Sequence, residues 1–233
     1  MNTAATYAGG AAYTEADAHL ARSDRVMAEL VHRLGPITPP HVATPRNLLG
    51  ALASAIVRQQ LSTQAAAGIY KRLLQYFGNR VPTPDQLVDA GADLRPTVGL
   101  SHAKERSLRA LGARIQEGAL DLDSLPHLSD EEVYAALTAV PGIGPWTAGA
   151  FMMFRLHRPD VVLPDDLGIR KAARVAYRLE RLPSPKALRE IAEPWSPYRT
   201  RGCLYLWAVP VDGTARSEGS RRRAATARVS GSR

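Results

Sequence analysis

The sequence predicts an all-α fold of two helical lobes with a cleft between them. Apolar residues recur at helical spacing along most of the chain, and no stretch of any length alternates in the period of a half-buried strand. Helix starts and stops are marked by capping residues, Gly and Pro. A chain of 233 residues that is 45% hydrophobic is long enough for one good-sized domain or two small lobes.

Residues 1–13 are small and polar and are expected to be disordered. Glu15 to Leu34 reads as one helix with Leu20, Val26, Met27, Leu30, Val31 and Leu34 on one face, ended by Gly35 and the prolines at 36, 39, 40 and 45. Asn47 to about Gln59 is a second helix with Leu48, Leu49, Leu52 and Ile56 inward. The chain breaks near Gln60-Leu61-Ser62-Thr63, and a third helix capped by Ser62 or Thr63 runs to Phe77. Leu61, just before that cap, fits a hydrophobic staple, while Gln59 and Gln60 either close the turn or contact a ligand. Pro82-Thr-Pro-Asp85 starts a short helix, Gln86 to Asp89. After Gly99-Leu-Ser101, a helix turns Leu108, Leu111 and Ile115 inward and leaves Lys104, Arg106, Arg109 and Arg114 elsewhere, usually a solvated face. Ser101 and Lys104 lie at its start, where a backbone phosphate can also sit. Gly168 to Leu182 is a further helix, and Pro185 to Ala192 and Pro197 to Val209 supply the last two. From 212 to 233, Gly, Ser, Ala and Arg dominate without periodicity, which reads as a disordered basic tail.

No run of apolar residues is long enough to span a membrane, and no charged segment precedes an apolar core at the N-terminus, so a cytoplasmic, nucleoid-associated location is expected. Cys203 is the one cysteine, which excludes an internal disulfide and a four-cysteine iron–sulfur cluster. The six histidines show no metal-ligand spacing and read as surface or loop residues. No nucleotide cofactor or side-chain metal site is implied. The net charge of +8 points to a polyanionic partner. Residues 216 to 233 carry six arginines against one glutamate, however, so only +3 is left for the body.

The centre of the chain is Leu137-Thr-Ala-Val-Pro-Gly-Ile-Gly-Pro-Trp-Thr-Ala148, followed by Leu163-Pro-Asp-Asp-Leu167. Ser129 with Glu132 forms a capping box for a helix whose apolar side holds Val133, Leu137 and Val140. Pro141-Gly142-Ile143-Gly144 breaks it, and Trp146 to Leu156 resumes a helical pattern. Two glycines around one apolar residue permit a tight reversal between helices. Such a hairpin is either an ordinary turn or an anion seat, because the second helix opens with unpaired N–H groups and a positive dipole end.

These segments resemble the helix-hairpin-helix superfamily of DNA base-excision glycosylases, and within it the bacterial 3-methyladenine DNA glycosylase II group. The resemblance extends to Ile56-Val-Arg-Gln-Gln-Leu-Ser62, Gly99-Leu-Ser-His-Ala-Lys104, Trp195-Ser-Pro-Tyr-Arg199 and Leu204-Tyr-Leu-Trp207, and so covers about residues 45 to 209. It implies a glycosylase domain over 14–211 with its hairpin motif at 130–156, in a compact form without the extra N-terminal domain of the larger relatives. The implied partner is double-stranded DNA carrying alkylated bases, met by a monomer.

Excising a base breaks an N-glycosidic bond and leaves positive charge on the deoxyribose, which an anionic carboxylate stabilises while orienting water. The resemblance assigns that role to Asp166, 20 residues after Trp146, with Asp165 as neighbour. The plain alternative is an N-cap, and one residue can do both. The resemblance places the DNA wedge at Leu61 beside Gln60, with staple and wedge both open. It places the phosphate seat on the amides of Gly142, Ile143 and Gly144 with Thr147, joined by Ser101 and Lys104, and offers a monovalent cation on hairpin carbonyls. Trp146 and Trp195 are the aromatic candidates for a base pocket, against core packing as the ordinary role of a tryptophan. Stacking and cation–π attraction to a charged alkylpurine contribute about 0.5–2 kcal/mol per contact. The larger relatives carry aromatics where this chain has Ala150 and Leu167, so a more open pocket and altered or broader specificity are expected. Strand-cleaving relatives carry a lysine where Trp146 stands, so the expected enzyme is monofunctional. The alternatives are a bifunctional glycosylase-lyase on oxidised bases, a non-enzymatic hairpin module that grips phosphate, and a helix-turn-helix regulator.

Overall fold

The computed structural model describes residues 14–38 and 47–211. The expected disordered ends at 1–13 and 212–233 lie outside them. Among the described residues every regular element is helical. The chain divides into two compact units. Residues 47–161 build a hairpin unit, and residues 14–38 return to join 162–211 in a terminal unit.

The predicted first helix is two helices, α1 (Glu15–Ser23) and α2 (Arg25–Leu34). The break is Asp24, in extended conformation, whose carboxylate accepts from the amides of Val26 (2.7 Å) and Met27 (3.1 Å). A short acidic side chain competes for those amides more effectively than the helix could use them. In the hairpin unit, α3 (Leu48–Arg58) is capped by Asn47 and buries Leu49, Leu52, Ile56 and Val57. Ser62 caps α4 (Thr63–Tyr76). Then come α5 (Pro84–Asp89), opened by a Thr83–Gln86 capping box, and α6 (Leu94–Val98), which the sequence reading passed over because its cap makes no side-chain bond. The next three are α7 (His102–Gln116), α8 (Asp130–Thr138) and α9 (Pro145–Phe154). Within this unit α7 packs on α5 and α3, and α9 packs on α8 and α3.

The terminal unit adds α10 (Leu167–Ala176), α11 (Pro185–Ala192) and α12 (Arg199–Trp207). The expected run of α10 to residue 182 is cut short at Ala176, because Arg178 turns left-handed at φ +53° and the Leu179 amide closes back on Arg174 O at 2.9 Å. At the unit's centre Asp17 is fully buried, and Arg201 grips it through Nε (2.7 Å) and a terminal nitrogen (3.0 Å). Tyr205 donates to the same carboxylate at 2.8 Å, and Thr14 closes a capping box on it. Burial alone would raise the Asp17 carboxyl; the Arg201, Thr14 and Tyr205 donors outweigh it and hold its pKa below the ordinary carboxylate value.

Candidate active site

Two pieces of candidate machinery belong to different units, and each is built from its own residues. In the hairpin unit, the Ser129–Glu132 capping box starts α8, and Val133, Leu137 and Val140 are buried as expected. Gly142 then takes φ +91°, a conformation that L side chains rarely adopt. A Cβ there would collide with the Ser107 side chain, so geometry and packing both require glycine. Ile143 plugs the core at 3% exposure, and its amide donates to Val140 O at 3.0 Å. Gly144 caps α9 without a side chain of its own to bond the first turn, and Pro145 opens the helix.

On α9, Trp146 and Ala150 stand one turn apart on the same face. They line a cavity of about 600 Å³ that lies wholly within the hairpin unit. Gln60 and Leu61 reach the same cavity from the α3–α4 turn, far before Trp146 and Ala150 in the chain. Trp146 is 48% exposed and Leu61 39%, so the two together leave an apolar rim on one cavity open to solvent. Gln60 adopts φ +56°, which turns the chain sharply just before Leu61. Ser62 caps α4 through the Ala65 amide, so Leu61 occupies the staple position and the cavity rim at once. Arg58 joins the wall, its Nε donating to the buried Ser54 hydroxyl at 3.3 Å. Arg155 lies there as well, its guanidinium pKa lowered by burial.

In the terminal unit, Asp166 caps α10. Its Oδ1 accepts from the Ile169 amide at 2.8 Å and from the Trp207 indole Nε1 at 3.1 Å. Both donors fix the orientation of the carboxyl group. Leu167 follows it, 52% exposed, and Asp165 is exposed. Trp207 is the residue that the sequence reading missed. It sits in a segment that carried the family resemblance, but nothing in a separation of 41 residues pairs it with Asp166.

The family model for the HhH-GPD superfamily of base excision DNA repair proteins matches residues 53–197, more than half of the chain. The chain belongs to this superfamily. DNA-3-methyladenine glycosylase 1 of Schizosaccharomyces pombe is 31% identical over 196 residues, covering 83% of this chain and 86% of the relative. The crystal structure of a Bacillus halodurans DNA-3-methyladenine glycosidase aligns with a TM-score of 0.77 at 32% identity, covering 85% of this chain and 90% of the other. A 3-methyladenine DNA glycosylase of Schizosaccharomyces pombe in complex with abasic DNA aligns with a TM-score of 0.72 at 30% identity, covering 83% and 95%. The chain thus shares the fold of this superfamily of base excision DNA repair proteins with relatives named as DNA-3-methyladenine glycosylases.

Several residues that the superfamily resemblance pointed to serve other purposes. Trp195 is fully buried and donates its indole N–H to Asp24 Oδ2 at 3.0 Å, so neither ring face is open to a base. Its packing is tight enough that a Cβ at Gly202 would strike the ring. Lys104 does not reach outward. Its Nζ donates to Val57 O at 2.8 Å, at the carbonyl end of α3, and desolvation pulls its pKa down. Thr147 is 7% exposed with its hydroxyl facing Gln59. The Ile143 amide donates to Val140 O inside the hairpin. Ser101 is exposed and caps α7 through the Lys104 amide. A monovalent cation would have to share the hairpin carbonyls. Val140 O and Gly142 O each accept one hydrogen bond and keep a second lone pair of the hard, neutral kind that such ions take, and no group of metal-ligating side chains stands among the described residues.

Proposed function

We propose that this protein is a monofunctional DNA glycosylase of the 3-methyladenine type II kind, which excises alkylated bases such as 3-methyladenine and 7-methylguanine from duplex DNA. The observation that carries this reading is the Trp146 cavity. A large, half-exposed indole stands over about 600 Å³ of space opened by Ala150, with an apolar residue, Leu61, on its rim. An extruded purine needs an aromatic face to stack on and an apolar wedge to fill the gap that it leaves in the duplex. A base alkylated at a ring nitrogen carries positive charge, which the indole face attracts and which already weakens the glycosidic bond.

Breaking that bond requires stabilisation of charge on the sugar and delivery of water. Asp166 supplies the carboxylate, oriented by Trp207 and Ile169. Strand cleavage would need an amine to capture the sugar as a Schiff base. No lysine lines the cavity, and Lys104 is tied to Val57. The product is therefore an abasic site in an intact strand. The wide cavity and the small side chain at 150 favour a broader range of adducts than a cavity closed by an aromatic. One protomer per lesion suffices.

The test is single-turnover excision from duplexes carrying 3-methyladenine or 7-methylguanine, wild type beside Asp166→Asn, scored with and without alkali. The expected result is a wild-type product that breaks only in alkali, reduced about 10²–10⁴-fold in the mutant. Asn caps a helix nearly as well as Asp and still accepts from Trp207, so stability should change little. Strand breaks without alkali would replace this reading with a glycosylase-lyase. DNA binding without excision of any damaged base, unchanged in the mutant, would leave a phosphate-gripping module.

A further inference from the structure

Resting on that reading, we propose that Gln59 is a positioning residue that couples the hairpin's seat on the DNA backbone to the turn presenting Gln60 and Leu61. Its Nε2 donates to Gly142 O at 2.8 Å and reaches Thr147 Oγ1 at 3.4 Å, across 83 and 88 residues of sequence. Gly142 is the left-handed pivot of the hairpin, and Thr147 lies in the first turn of α9. One side-chain amide thus spans the reversal whose N–H groups meet phosphate.

The turn that Gln59 begins has little packing of its own. Gln60, Leu61 and Ser62 are all exposed, and Gln60 is held in the left-handed region, where a non-glycine residue is strained. Locally the turn has the Gln59 amide on Ile56 O at 3.4 Å, the Leu61 amide on Arg58 O at 3.2 Å and the Ser62 cap. Gln59 ties it to the hairpin, and Lys104 Nζ ties the preceding residue pair to α7 through Val57 O. A carbonyl only accepts, so the face that Gln59 turns to Gly142 must be its NH₂ group. The consequence is directional. When phosphate settles on the hairpin, the Gly142 peptide and the wedge turn move or stay fixed together, so gripping the backbone holds Leu61 at its working position.

The experiment uses the full chain with Gln59→Glu and Gln59→Leu. Glutamate keeps the length and sets oxygen lone pairs against the Gly142 carbonyl; leucine removes the donor without adding charge. Three quantities are compared with wild type: affinity for undamaged duplex, extrusion read by 2-aminopurine fluorescence beside the lesion, and the saturating single-turnover rate on 7-methylguanine duplex. The expected result is undamaged-duplex affinity within about 2-fold, with extrusion and saturating rate falling together by about 3- to 10-fold, the factor that one hydrogen bond supplies. Equal losses in all three with a lowered Tm in both variants would reduce Gln59 to a structural tie, and unchanged extrusion and rate would remove the coupling. If one variant does not fold, the other decides. Should wild type release no base from any alkylated duplex, the glycosylase reading falls, while the extrusion comparison still judges the coupling.

Discussion

At the scale of single residues, one oxygen of the Asp166 carboxylate joins the head of α10 to α12. Its Oδ1 is held by a backbone amide at the head of α10 and by the Trp207 indole. A hydrogen bond to a charged acceptor is worth about 1.5–3 kcal/mol. Trp207→Phe keeps most of the bulk and deletes the donor. It should lower the saturating excision rate by about 10-fold, the low end of that range, and leave affinity for undamaged duplex unchanged. A loss carried entirely by weaker DNA binding would count against an orienting role. The resemblance to the family points to Asp166 by its place before a helix and its distance from Trp146. It is silent on Trp207, because the pairing depends on how α10 meets α12. Trp195 is the converse case. Its sequence block pointed to the site, but its environment is core, since Asp24 lies where it can satisfy the indole N–H.

Among the elements, the hairpin has the most demanding geometry. Gly142 needs both a positive φ and an absent Cβ, and the obstacle is Ser107 on α7, itself bonded to Ala103 O at 2.9 Å. Gly142→Ala should therefore destabilise the fold by about 1–3 kcal/mol and weaken binding even to undamaged duplex, measured by thermal melting and fluorescence anisotropy. A neutral effect on both would mean that the reversal relaxes without its glycine. The α8 boundaries, the Ser129 box and the Pro145 start of α9 are legible in sequence because they are local capping chemistry. The collision with Ser107 is not, because it joins residues 35 apart in the chain.

For the molecule as a whole, the fold depends on residues 14–38 returning to the unit that holds Asp166. The Asp17–Arg201 pair makes that return specific. It is buried, bidentate and hydrogen-bonded by Tyr205 and Thr14, the conditions under which removing one partner is costly. Asp17→Asn should lower stability by about 3–5 kcal/mol at neutral pH, read by denaturant unfolding. Because the folded pKa of Asp17 lies below its ordinary value of 3.8, its contribution is present above that value and disappears as pH falls through the folded pKa. Wild type should therefore lose stability on acidification below about pH 4, and the mutant should lose correspondingly less. Parallel acid profiles would show that other carboxylates govern the transition.

The sequence by itself determined the helical class, most helix starts, the glycine reversal, the absence of a lysine at position 146 and the placing of an acid before α10. The class and the helix starts follow from the period of apolar residues and from caps made within three or four positions, and the rest from the identity of single residues. Only the tertiary structure decided that Gln60, Leu61, Trp146 and Ala150 share one cavity, that Gln59 reaches the hairpin, and that Lys104 and Trp195 turn inward. It also decided that Asp24 divides the first helix, since that carboxylate is held in place by Tyr177 and Trp195 from the far end of the chain. Local hydrogen bonds leave a periodic signature in the text of a chain. Contacts between distant segments depend on which faces pack together, and no spacing rule records that.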